Sequence, residues 1–188
     1  MKTRNFYILI SSIILAMVIT WLFIYTVIVL DVNLFQNPNS ITIRGDGVNR
    51  EFTLSISELK SDKYDQVIDK SFHIKKGPPS YSEYDVIYSG VSIWSILEVE
   101  GLIHGDVSLL TFRFIGRDQY KSPKALNLSI VKDNPDLAII AYKQNGDPLS
   151  LAEGPLRSVL DQSIVPSGAY SSQYSVQKLS EIIINISE

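Results

Sequence analysis

Twenty-five consecutive residues without a charge, Phe6 to Leu30 (FYILISSIILAMVITWLFIYTVIVL), constrain this chain more than any other feature, and 21 of them are hydrophobic. As a helix rising 1.5 Å per residue the run reaches roughly 37 Å, enough to cross a hydrocarbon core of about 30 Å with some tilt. A buried core helix rarely stays apolar on every face for so long, and the apolar region of a cleaved signal peptide is shorter, about 7–15 residues. The run therefore predicts a transmembrane helix over 6–30, with the lipid bilayer as a partner. Lys2 and Arg4 precede it and Asp31 follows it. The positive-inside bias then puts 1–5 in the cytoplasm and everything after the helix outside it. The expected location is the cell membrane, single-pass, with an extracytoplasmic C-terminal domain.

Composition matters for what lies beyond the run. The chain carries 17 basic and 20 acidic side chains, and two of the cations precede the apolar segment, so the outer part is net acidic and nucleic acid is not an expected partner. There is no cysteine, and both methionines, Met1 and Met17, fall before Asp31. The 188-residue chain thus has no sulfur atom in its outer part, which excludes disulfides, zinc–cysteine sites and thiol catalysis.

Residues 31–40 (DVNLFQNPNS) read as a polar linker, and 41–188 as one domain. Ile41 to Leu54 alternates apolar and polar residues around Gly45-Asp46-Gly47, predicting a hairpin turned at Asp-Gly. Ser55-Ile56-Ser57-Glu58 has capping-box spacing and predicts a helix over 57–64. Strands are expected at 67–75 and 84–88, a helix at 92–100 stopped by Gly101, and a strand at 109–115. A short helix at 125–132, a buried strand at 137–142, a turn at Asn145-Gly146-Asp147-Pro148, a strand within 158–165 and a last strand at 181–186 complete the pattern. Many strands with interspersed short helices predict an α+β domain with a mixed or mostly antiparallel sheet.

Familiar catalytic patterns are missing. His73 and His104 have no second ligand at metal spacing, and Asp133 and Asp136 lack the ligand number of a calcium loop. No phosphate-binding glycine loop, dinucleotide fingerprint or nucleophile elbow occurs. Two segments carry more. Phe114 to Tyr120 is a strand ending in a loop with both charge signs, and Ala141 to Arg157 ends in Gly154-Pro155 just before an arginine. An arginine fixed beside a rigid turn suits a bidentate phosphate or carboxylate contact, or equally an ion pair with Asp118 or Asp161.

Taken in order, these elements resemble the molybdopterin-binding domain of the sulfite oxidase-like oxidoreductases over about residues 41–188. The resemblance runs through Glu58-Leu59, then Tyr88-Ser89-Gly90-Val91-Ser92-Ile93 with Leu97 and Gly101, then Gly116-Arg117-Asp118 with Tyr120. It continues through Ala141-Tyr142, Asn145 to Leu149 and Gly154-Pro155-Leu156-Arg157. It implies that family's compact α+β fold around a mixed β-sheet with short helices.

The resemblance also implies a cofactor cleft in which Asp118 and Arg157 match an acidic and a basic cofactor-contacting position. Catalytic members hold molybdenum through a cysteine thiolate, whose place here falls within Lys75 to Ser80. The histidine that precedes the Gly-Pro-Arg element is replaced by Ala152 or Glu153, and the C-terminal basic and aromatic pair by Val176-Gln177-Lys178-Leu179. The expected function is a non-catalytic, membrane-anchored binding or accessory module without a cofactor or metal. Its cleft, lined by loops near 77–84, 118–121 and 154–173, would take a small anionic ligand or a membrane-protein partner. The alternatives are a molybdopterin-dependent oxidoreductase with a non-cysteine metal site, and a structural envelope protein.

Overall fold

A computed structural model describes residues 3–25 and 39–187, and within its first helix the side chains of 11–22 and 24. The chain forms two compact units, 1–37 and 38–188. In the first, α1 runs from Thr3 to Ile24. The apolar side chains described along it, from Ile13 to Leu22, are exposed. Among the described residues no helix is long and apolar enough to cross a membrane. The end of the predicted span, 26–30, and most of the predicted linker, 31–38, lie outside the described residues.

The second unit holds two five-stranded sheets where the sequence predicted one. The first orders β2-β1-β10-β5-β6, built from β1 (Ser40–Arg44), β2 (Phe52–Ser55), β5 (Leu110–Gly116), β6 (Leu126–Asn127) and β10 (Leu179–Ile186). Its one parallel pair, β1 with β10, makes the sheet mixed. The second joins β3 (Gln66–Lys76), β4 (Ser82–Ser92) and β7 (Ala138–Gln144), with β8 (Asp147–Pro148) and β9 (Arg157–Leu160) both along the side of β7 away from β4. The apolar run at 138–141 is buried at every position, because successive side chains enter two different cores. Ala138 and Ile140 enter the larger one with Phe112, Phe114, Leu97 and Ile182. Ile139 and Ala141 join Phe72, Ile74, Val86 and Tyr88 on the opposite face.

Local signals place the short helices. Ser55 caps α2 (Ile56–Leu59) in a full capping box with Glu58, and the helix ends at Leu59 rather than reaching residue 64. Ser92 caps α3 (Ile93–Val99), and Gly101 follows with φ of 58°. The helix predicted at 125–132 instead begins with β6, and Asn127 caps α4 (Leu128–Asp133). The strand sought in 158–165 stops at Leu160, where Asp161 caps a 3₁₀ turn at Gln162–Ile164.

The first hairpin differs from its prediction. Ile41 does face Leu54 across β1 and β2, but the turn at Asp46-Gly47 does not join the strands directly, since residues 45–51 separate them. The Gly47 amide donates to Ile184 O at 3.0 Å, and Asp46 Oδ1 accepts from the Ile186 amide at 2.8 Å. The loop is thus docked on β10. Asn145-Gly146 does make the tight turn of its pattern, both residues at positive φ between β7 and β8.

Candidate functional site

Arg157 opens β9 immediately after Gly154-Pro155. Gly154 has φ of +78°, and a Cβ there would lie 2.8 Å from Lys178 Cα, so only glycine admits this approach of two backbones. The segment 176–179 is strapped along 153–158 by Lys178 N to Glu153 O at 2.7 Å, Leu179 N to Leu156 O at 2.9 Å and Val176 N to Ser158 Oγ at 2.8 Å. The same strap holds the loop after β5, through Arg117 N to Lys178 O at 2.8 Å. In that loop Gly116 N donates to Tyr120 O, Gln119 takes φ of 63°, and Asp118 Oδ1 accepts from the Tyr120 amide at 3.2 Å. One backbone segment therefore positions both residues singled out in the sequence.

Asp118 and Arg157 line the same cavity, of about 350 Å³. Lys76, from the end of β3, Tyr120, and Ser172, Ser175, Val176 and Gln177 complete the wall. The loop at 77–84, expected to line the cleft, supplies none of its wall, and Tyr81 packs edge-on against Tyr170, ring centroids 6.0 Å apart. The segment 167–174 ends in a 3₁₀ turn at Ser171–Tyr174 that buries Ser171 and Tyr174 and leaves Ser172 to the cavity.

Arg157 pairs with neither Asp118 nor Asp161. Its Nη1 donates to Glu153, and the guanidinium lies 5.3 Å over the Tyr88 ring. Both members of the ion pair are largely buried, and the Gln144 amide, with its nitrogen turned to Glu153, donates to Oε2 at 2.8 Å. Arg157 Nε is buried without a hydrogen-bond partner among the described residues. Tyr88 is buried beneath, and burial pushes its phenol up to about 12, against the opposing effect of the Arg157 charge. Glu153 and Tyr88 went unassigned to the site in the sequence. Their traces were the Glu153-x-x-x-Arg157 spacing, which has no fixed meaning outside a helix, and the resemblance, which includes Tyr88 and sets Ala152 or Glu153 in the place of a histidine.

The stretch where the resemblance places a metal-binding thiolate, Lys75 to Ser80, reads Lys-Lys-Gly-Pro-Pro-Ser. Lys76 Nζ rides 5.3 Å over the Tyr84 ring, and a Cβ at Gly77 would meet the Tyr170 ring at 2.6 Å. The cavity wall offers ammonium, guanidinium, carboxylate, hydroxyl and amide groups and no soft donor. Among the described residues no cluster of three His, Cys, Asp or Glu is arranged to hold a metal. His73 bonds Glu83 and Asp85, His104 bonds Asn49, and Asp136 pairs with Lys70.

No family model and no curated protein matches the sequence. Among solved structures the chain is similar to the sulfane dehydrogenase SoxCD from Paracoccus pantotrophus, with a TM-score of 0.55 at 14% identity. The match covers 79% of this chain and 39% of that one, so the chain spans well under half its length. At that identity the likeness speaks for the fold alone, a mixed α+β arrangement of sheets and short helices.

Proposed function

We propose that this chain is a membrane-anchored, extracytoplasmic binding or accessory module with a molybdopterin-oxidoreductase-like domain, whose cleft takes a small anionic ligand and no molybdenum. The observation that carries this reading is the convergence of Asp118 and Arg157 on one cavity in a chain without any thiol. The residues present do not fit a thiolate-held metal, and the hydrogen-bonding groups of the cleft suit recognition instead. Anchoring rests on the uncharged run 6–30 and on the exposed apolar side chains of α1.

The likeness in fold to a dehydrogenase favours a second reading, an oxidoreductase that keeps a pterin with a non-cysteine metal site. Metal analysis of the full chain, purified from a host supplied with molybdate, separates the two. The binding reading expects no stoichiometric molybdenum and no extractable pterin. One molybdenum with one pterin per chain would replace it with the oxidoreductase.

A further inference from the structure

The charges around the cavity are balanced in an unusual way for a site that takes an anion. Lys76 and Arg157 face it, but Arg157 is already compensated by Glu153, and Asp118 lies in the same wall. A bare or multiply charged anion gains little from such a lining, and Asp118 repels it. A carboxylate only accepts hydrogen bonds, so Asp118 needs a ligand that donates them. Oδ1 takes the Tyr120 amide, which leaves the carboxylate further acceptor capacity at the cavity wall.

The rest of the wall trades hydrogen bonds. Ser172, Ser175 and Gln177 present two hydroxyls and an amide, and Tyr120, about half exposed, offers a ring face and a phenol. A volume of about 350 Å³ lies at the small end of ligand pockets, about 300–1,000 Å³. Resting on the binding reading above, we infer that this cavity recognises a singly charged acidic sugar. Its carboxylate lies toward Lys76 and Arg157, its ring hydroxyls donate to Asp118 and exchange bonds with the serines and Gln177, and its apolar face lies against Tyr120. One negative charge with several donors matches this mixed lining better than a fully deprotonated anion, which brings no donors, or a neutral sugar, which brings no charge for Lys76 and Arg157.

Isothermal titration of the full chain in detergent micelles with glucuronate, acetate, phosphate and glucose tests this. Glucuronate binds about tenfold or more tighter than the other three, the equivalent of one or two net hydrogen bonds. Asp118→Asn removes most of that advantage and leaves acetate binding unchanged, a result that a merely structural Asp118 does not give. A tetrameric uronate binding more tightly than the monomer points to a polymer as the source, and equal binding to the free acid. If acetate or phosphate binds as well as glucuronate, or D118N keeps the preference intact, the sugar inference is wrong while the anion-binding reading stands. If none of the anions binds, that reading falls with it.

Discussion

His73 holds two carboxylates at once across the β3–β4 pair, Nδ1 to Asp85 and Nε2 to Glu83, each at 2.8 Å. Lys75 also reaches Glu83, at 3.3 Å, so the outer face of the hairpin carries a small charge network. Both ring nitrogens can donate only in the imidazolium, and the hydrogen bonds to Asp85 and then Glu83 raise the His73 pKa above its ordinary value. The same ring holds Glu83 below the usual carboxylate range. A raised histidine pKa stabilises the fold fully below the unfolded-state value, about 6.5, and that contribution is lost as pH rises through the folded-state value. All three side chains are well exposed, so salt screening keeps the effect small. A proton NMR titration therefore shows His73 above the ordinary histidine value of about 6.5, and as pH rises from there through the folded-state value the urea midpoint of the native chain falls relative to that of His73→Gln. Titration of His73 at the ordinary histidine value would disprove the bridging geometry.

At the scale of elements, β3 is an edge strand, and its open side is closed by side chains in place of a further strand. The His73 amide donates to Asp161 Oδ2 at 2.7 Å, while Asp161 Oδ1 takes the amide and hydroxyl of Ser163 at the start of its 3₁₀ turn. Ser171 Oγ accepts from the Lys75 amide at 2.9 Å and faces Lys75 O at 3.3 Å. Asp161→Ala leaves the half-buried His73 amide without its acceptor and uncaps the 3₁₀ turn, at a cost of about 1–3 kcal/mol, seen as a lower denaturation midpoint together with faster hydrogen exchange at the His73 amide. Unchanged exchange at that amide would show that Asp161 is not what closes the edge. This lock was invisible in the sequence because it joins residues 88 positions apart. What was legible was local: the capping box at Ser55, the stop at Gly101, the turn at Asn145-Gly146 and the two-faced apolar run of β7 each need only their near neighbours. That the loop around Asp46-Gly47 is longer than a hairpin turn and held to β10 was not legible, because its partners Ile184 and Ile186 lie at the far end of the chain. The site divides in the same way, since resemblance supplied Asp118 and Arg157, whereas Lys76, Tyr88 and the serines join them only through the pairing of distant strands.

For the whole molecule, the absence of cysteine that removes thiol chemistry also makes the chain a clean substrate for single-cysteine labelling. Leu151 is 98% exposed at the tip of the loop after β8, so Leu151→Cys presents a reactive thiol without disturbing a core. Thr3 opens α1, on the side that the proposed orientation makes cytoplasmic. If 6–30 span the bilayer in the proposed sense, a membrane-impermeant maleimide added to intact cells modifies L151C and spares T3C, and both react once the membrane is opened. Alkaline carbonate washing leaves the labelled chain in the membrane pellet, as it does for a spanning helix held by the cost of exposing its apolar surface to water. Labelling of T3C alone in intact cells reverses the orientation and puts the cleft in the cytoplasm. Release of the chain by carbonate removes the anchor and, with it, the reason to look for the ligand outside the cell.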